Sequence, residues 1–359
     1  DLEHIADLFE RSGNDLACLF GPQHGYAGDT QANMIEWEGY LHPRLGIPVH
    51  SLYGAVRRPT PEMLAGLDTV LIDLPDTGAR PYTYIWTSLL MMRECARAGI
   101  RVVVADRPDP INGTAVEGEI LREDHQSFVG MFPMTMRHGM TLGEALVMFD
   151  SREEISCELE IVRLAGWKRE RWFDETGLPW VLPSPNMPTP DTAIVYPGMV
   201  LLEATNISEG RGTTRPFEIC GAPWIDAEEF ARRLGAAHRR HGLEGAVFRP
   251  LGFRPAWDKY AGELCGGIQI HVTARDRFRP VRCAALLIDT AARMYPEHFR
   301  FLPPPYEYEE TLMPADILSG SPLLRQAVEK GAGLEAVFDR WAADEASFGQ
   351  ARHDFLLYR

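Results

Sequence analysis

Acidic side chains crowd the segments that follow the apolar runs of this chain. The stretch 21–40, GPQHGYAGDTQANMIEWEGY, sets His24 among turn residues and then supplies Asp29, Glu36 and Glu38. Asp73 and Asp76 stand at the end of the apolar run 69–74, and Asp106 closes the run 100–106. Glu117, Glu203, Glu209 and Glu218 fall in later loops, and Trp37, Tyr82, Tyr84 and Trp86 stand near the acids in sequence. Paired carboxyls suit hydrolysis of a glycoside: one protonates the leaving oxygen, and the second stabilises or attacks the oxocarbenium-like centre. Aromatic rings supply faces on which a pyranose can stack. Arg80, Arg107, Arg137, Arg211 and Arg215 occupy polar loops beside Gly, Pro, Thr or His. A guanidinium fork matches a carboxylate, so one or two of these are expected to clamp an anionic group while the others pair internally. Each acid also has an ordinary structural reading. Asp106 before Arg107-Pro108 reads as a loop-fixing ion pair, Glu38 as solvated, and Asp191 and Asp226 as turn or helix-capping residues. Taken together, the cluster points to a site.

Other chemistries lack their residues. The first strand-to-helix turn, GPQHGY, is not GxGxxG, and no GxxxxGK precedes a Ser or Thr. A loop at 208–214, SEGRGTT, has its glycines in the wrong order for phosphate, so no nucleotide cofactor is expected. There is no HExxH and no close His pair; His24 and His138 are solitary, and no metal is expected. No GxSxG elbow is present. The six cysteines are unpaired by spacing and read as buried thiols. With 36 basic against 51 acidic residues the net charge is −15, and no basic block offers itself to nucleic acid. No apolar run is long enough to span a membrane. Residue 1 is Asp and no signal peptide is visible, which leaves a cytoplasmic or an exported location open. Oligomeric state is not legible.

The elements that must position these groups alternate. Residues 2–12 have helical periodicity, 15–20 read as a strand, 69–74 as a buried strand, 82–98 as a helix and 100–106 as another buried strand. Such alternation predicts a parallel sheet covered by helices, an α/β fold with ligands beyond the carboxyl ends of the strands. The loops GPQHG, PDTGARPYTY and RPDPINGTAVEG sit at those ends. Thr141 with Glu144 predicts a capping box opening a helix over 141–150. A domain change is expected near 150, dividing the chain into 1–150, with most of the cleft loops, and 151–359. The proline-rich passage 178–198 is expected not to form regular helix, and 199 to begin an apolar strand. A helix is expected over 226–241, a strand over 266–273, a helix over 282–294 and a helical tail from 314.

Long blocks of this sequence resemble one family. They are 21-GPQHG-25, 73-DLPDTGARPYTY-84, 106-DRPDPINGTAVEG-118, 137-RHGMTLGE-144, 177-GLPWVLPSPNMPT-189, 203-EATNISEGRGTTRPFE-218, 259-KYAGELCGGIQIHVT-273 and 304-PPYEYE-309. In order, and over nearly the whole chain, they are similar to the exo-β-N-acetylmuramidases of the NamZ type. The resemblance implies a Rossmann-like N-terminal domain, a smaller C-terminal α/β domain and a cleft between them. It also implies removal of N-acetylmuramic acid from non-reducing ends of peptidoglycan fragments, a small carbohydrate substrate, and no metal or nucleotide. The lactyl carboxylate of that sugar accounts for Arg-rich loops in an acidic protein. Its acetamido group and hydroxyls call for residues such as Asn112, Asn186 and Asn206.

Two departures stand out. Many members read Pro-Glu-His-Gly where this chain has Gln23, and the family has a further strand before the equivalent of residue 1. If that glutamate is the general acid elsewhere, the role here passes to Glu36 or Glu38. The expected catalytic set is Glu36 as acid, with Asp76 or Asp73 polarising and His24, Tyr82 and Arg80 completing the first sugar site. Arg211 or Arg215 would hold the carboxylate. Gln23, Tyr84, Arg107, Asn112, Arg137, His138, Asn206 and Glu209 complete the expected substrate contacts. A sugar-binding protein without catalysis and a hydrolase of another anionic sugar are the rival readings.

Overall fold

The computed structural model describes residues 2–31 and 34–359, so Ala32 and Asn33 of the first loop lie outside it. Helix α1 (Ile5–Ser12) is capped by the His4 side chain and ends at Gly13 in the left-handed conformation. Strands β1 (Leu19–Gly21), β2 (Tyr40–Leu41) and β3 (Pro48–Ser51) form a small sheet in the order β1-β3-β2, with β1 parallel to β3. After the short helix α2 (Pro61–Leu64) come β4 (Thr69–Ile72), α3 (Tyr84–Ala98), β5 (Arg101–Ala105), α4 (Leu142–Arg152) and β6 (Leu159–Val162). Strands β4, β5 and β6 make a parallel sheet, as the continuous apolar runs predict. Val70, Ile72, Val102 and Val104 meet Ile85, Leu89, Leu146 and Phe149 of the covering helices in one core. Each such buried side chain contributes roughly 1.5–3 kcal/mol.

The expected single sheet is therefore in two pieces. Of the strand expected over 15–20, only Leu19 and Phe20 join a ladder, which runs on to Gly21. A groove of about 710 Å³, lined by Leu16, Phe20, Val70, Ile72 and Met91, runs beside β1 and β4. With no neighbour on that edge, the strand keeps pairing only where β3 reaches it. Strand β6 lies beyond residue 150 and still extends the first sheet, so the sheet crosses the division expected there.

The passage 178–198 does contain helix. Thr189 caps α5 (Pro190–Met199), with Pro190 in the first turn, where its missing N–H costs nothing. Pro197 sits inside this buried helix, and Val200–Ala204 continue it as a 3-10 turn where a strand was expected. Then follow β7 (Ile219–Ala222), α6 (Ala227–Arg240), β8 (Ala246–Phe253), β9 (Cys265–Val272) and α7 (Pro280–Met294). The antiparallel order β7-β9-β8 leaves β8 at an edge, which is where a strand carrying Pro250 is tolerated. Glycines and Pro322 break the helical tail into α8 (Pro314–Ser319), α9 (Leu323–Glu329) and α10 (Glu335–Arg352). The second core gathers α5, α6, α7 and the tail around Phe230, Leu287 and Trp341. Among the described residues no helix is long and apolar enough to cross a membrane.

Candidate active site

A narrow pocket opens where the loop after β1, the start of α3, the 3-10 turn after α5 and the turn at 306–309 converge. Its cavity volume is about 30 Å³, small beside the groove of about 710 Å³ along β1 and β4. Gln23, His24, Tyr82, Tyr84, Asn186, Glu203, Arg211, Tyr306 and Glu307 are among its lining residues.

Glu307 is its most unusual group. The residue is 3 % exposed, in a tight turn where Glu307 and Tyr308 both take positive φ. Non-glycine residues held in this way mark a segment whose surroundings over-determine it. Its Oε2 accepts from the Tyr53 hydroxyl at 2.8 Å, and its Oε1 accepts from Gln23 Nε2 at 3.4 Å. Burial pushes the carboxyl up to about 7, with Glu203 adding like charge and the Tyr53 and Gln23 bonds opposing. Gln23 is itself fixed: its amide nitrogen also donates to Tyr53, and its oxygen accepts from Thr83 at 2.6 Å. Thr83 is the residue before α3 and makes no side-chain cap to that helix. Its hydroxyl is spent on the site instead.

Glu203 provides the second carboxylate. It accepts from Arg211 Nη2 and from the Tyr306 hydroxyl, each at 2.7 Å. Arg211 Nε lies 3.1 Å from Glu209, which in turn holds Lys259 at 2.9 Å. Burial opposes the charge of Arg211, but Glu203 and Glu209 outweigh it and push the guanidinium up. Its Nη1 has no hydrogen-bond partner among the described residues, and it belongs to a side chain lining the pocket. The loop that carries it needs glycine: at Gly210 φ is +82°, and a Cβ would sit 2.3 Å from the Ile219 carbonyl oxygen.

His24 completes the wall. Its Nδ1 lies 2.7 Å from the Thr30 carbonyl oxygen, and burial lowers its pKa to about 4. The ring is therefore neutral near pH 7; Nδ1–H donates to Thr30, which leaves Nε2 as an acceptor. Tyr82 meets Tyr84 edge-on at 4.8 Å, and the Tyr84 hydroxyl donates to the Pro183 carbonyl, tying the proline-rich passage to α3. Asn186 Nδ2 donates to the Gln31 carbonyl oxygen.

Of the residues expected at the site, Gln23, His24, Tyr82, Tyr84 and Arg211 line the pocket, with Glu209 behind Arg211. Glu36 does not: its side chain is 53 % exposed and pairs with Arg57 at the surface. The carboxyl expected to act as the acid is thus not among the groups lining the pocket. Arg80 is fully buried and donates to the carbonyls of Glu119, Met134, Ile317 and Leu318, so it staples the tail to the first domain instead of touching a sugar. Asp73 pairs with Arg107 beside the groove. Asp76 lies 3.3 Å from His138 Nε2, away from the pocket. Arg137 binds the Ile111 carbonyl, and Asn112 accepts from Thr114. Asn206 ties down the loop at 298–300, and Arg215 pairs with Glu218. Asp106 is structural, but through Thr141, Gly143 and Tyr358 in place of an arginine. The sequence reading passed over Glu307, Tyr53 and Tyr306. The one signal was the density of Tyr and Glu in 306-YEYEE-310, inside a proline-rich connector.

Fold and pocket define a two-domain α/β protein with a buried carboxylate pair walled by aromatic rings. The chain belongs to the NamZ family: residues 1–191 match the profile of the exo-β-N-acetylmuramidase NamZ N-terminal part, and residues 194–358 that of its C-terminal part. It is 41 % identical over 351 residues to the peptidoglycan β-N-acetylmuramidase NamZ of Bacillus subtilis (strain 168), covering 98 % of this chain and 82 % of that one. A crystal structure of a DUF1343 family protein from Bacteroides fragilis NCTC 9343 superposes with a TM-score of 0.88 at 31 % identity, over all of this chain and 90 % of the other. A second protein of that description from the same organism shares the fold, with a TM-score of 0.75 at 23 % identity, over 99 % of this chain and 90 % of that one.

Proposed function

We propose that this protein is an exo-acting glycoside hydrolase that releases N-acetylmuramic acid from non-reducing ends of peptidoglycan fragments. The curated relative is a peptidoglycan β-N-acetylmuramidase, and the two profiles carry the same activity in their descriptions. The observation that carries the reading is the carboxyl pair: Glu307 held up to about 7 beside Glu203. Two carboxyls pushed into different environments divide the acid–base work between them.

In this reading Glu307 is protonated as the sugar binds and delivers its proton to the glycosidic oxygen. Tyr53 and Gln23 hold the carboxyl in place, and as the proton leaves they donate to the carboxylate that forms. Glu203, fixed by Arg211 and Tyr306, stabilises the positive charge that develops at the anomeric carbon. The unpartnered Nη1 of Arg211 takes the lactyl carboxylate, a group that neutral sugars lack. His24 and Asn186 serve the hydroxyls and the acetamido group, and Tyr82 supplies an apolar face. The test is release of N-acetylmuramic acid from its β-aryl glycoside and from a muramyl disaccharide. Absence of turnover by folded wild-type protein would sink the catalytic reading; tight binding without turnover would leave a sugar-binding protein.

A further inference from the structure

The proposed acid also marks where the leaving sugar must begin. Glu307 faces the pocket; beside it, the exposed Tyr308 and Met34 and the half-buried Arg57 meet from separate stretches of chain. Tyr308, 38 % exposed, follows Glu307 directly, and its ring meets the ring of Tyr53, whose hydroxyl holds the acid, at 5.6 Å. The guanidinium carbon of Arg57 lies 3.0 Å above the Tyr308 ring. Met34, 46 % exposed, accepts the Glu307 backbone N–H on its sulfur at 3.4 Å. Glu307 and Tyr308 both take positive φ, and the carboxyl is buried while the neighbouring phenol is exposed. Arg57 reaches Glu36 at 3.2 Å, yet its buried Nε finds no acceptor among the described residues. A buried N–H of this kind is left for a water or a ligand group to meet.

We infer that Tyr308, Arg57 and Met34 form the subsite for the leaving sugar, the amino sugar on the reducing side of the bond cleaved. The Arg57–Tyr308 stack gives a rigid platform of ring and N–H donors suited to a pyranose and its acetamido carbonyl, and Met34 supplies adaptable apolar contact. This inference rests on the proposed glycosidase reading with Glu307 as acid.

The experiment compares two substrates that share the first sugar. One is the disaccharide N-acetylmuramyl-N-acetylglucosamine; the other is the β-glycosyl fluoride of N-acetylmuramic acid, which has no leaving sugar. Tyr308→Ala and Arg57→Ala are expected to lower kcat/KM for the disaccharide by about tenfold or more, with the fluoride unchanged within about threefold and the alkaline limb of the disaccharide's pH–rate profile unmoved, which separates a lost sugar contact from a disturbed acid. Tyr308→Phe, which keeps the ring, is expected to stay near wild type on both. Equal loss on both substrates, or no loss on the disaccharide, overturns the subsite while leaving the glycosidase reading intact. Failure of wild type on both substrates overturns that reading, and the subsite with it.

Discussion

Replacing Glu307 by Gln removes the proposed proton donor and fills the same space; its oxygen still accepts from Gln23, and contact with Tyr53 is kept when that hydroxyl turns to accept from the new amide. Two consequences follow, of opposite sign. General acid catalysis contributes about 10²–10⁴-fold, so kcat/KM on a muramyl disaccharide should fall within that range. A dinitrophenyl glycoside, whose leaving group needs no proton, should lose far less. The alkaline limb of the wild-type rate profile, expected near 7, should vanish in the variant. Stability moves the other way. The carboxyl titrates at about 7 in the fold against an ordinary 4.5, so the protonated form is the one the fold favours. Below 4.5 both states are protonated and the group costs nothing; as pH rises through 7 the fold loses about 3 kcal/mol relative to the unfolded chain, at about 1.4 kcal/mol per pH unit. The Gln variant escapes this, and its melting temperature at pH 8.5 should exceed wild type by a few degrees while matching it near pH 4.5. Equal losses on the two glycosides, or a loss below tenfold on the disaccharide, would refute the assignment of the acid. Unchanged stability at pH 8.5 would refute the burial argument beneath it.

Gln23→Glu would set a second carboxyl about 3.4 Å from Glu307. At an effective dielectric of about 20 the two charges repel by about 5 kcal/mol, so the pair keeps a shared proton and the alkaline limb should move up by more than one pH unit; a rate profile that stays put removes Gln23 from the acid's cradle. Arg211→Lys keeps the charge but loses the fork. KM for the muramyl glycoside should rise roughly 10–100-fold while the matching glycoside without the lactyl group is little affected, and parallel changes for both would argue against a carboxylate contact. Glu36→Gln should leave hydrolysis of the muramyl disaccharide within about threefold and stability within about 0.5 kcal/mol, because its ion pair with Arg57 is at the surface; a hundredfold loss on the disaccharide with the glycosyl fluoride spared would restore it as the acid.

Local pattern carried much of the architecture. Apolar runs announced β4 and β5, Thr141 and Glu144 announced the capping box of α4, and the polar segment after β1 was legible as a wall of the site. These depend on neighbours a few residues apart, which sequence displays directly. Proline misled the reading of 190–199, since residues at the first helical turn and within a buried helix answer to packing as much as to propensity.

The acid was beyond sequence. Glu307 and Gln23 are 284 positions apart, and nothing local distinguishes Glu307 from Glu309 or Glu310 in the same run. Burial decides between them: Glu307 is enclosed and held up to about 7, while Glu309 is only partly buried and is drawn below the ordinary range by Thr311. The same difference sets Glu36 at the surface with Arg57, and Arg80 inside the protein against the carbonyl of Leu318. Sequence by itself determined which residue types were available and which elements would carry them. Only the tertiary structure decided which carboxyl lost its water, because desolvation depends on atoms drawn from every part of the chain.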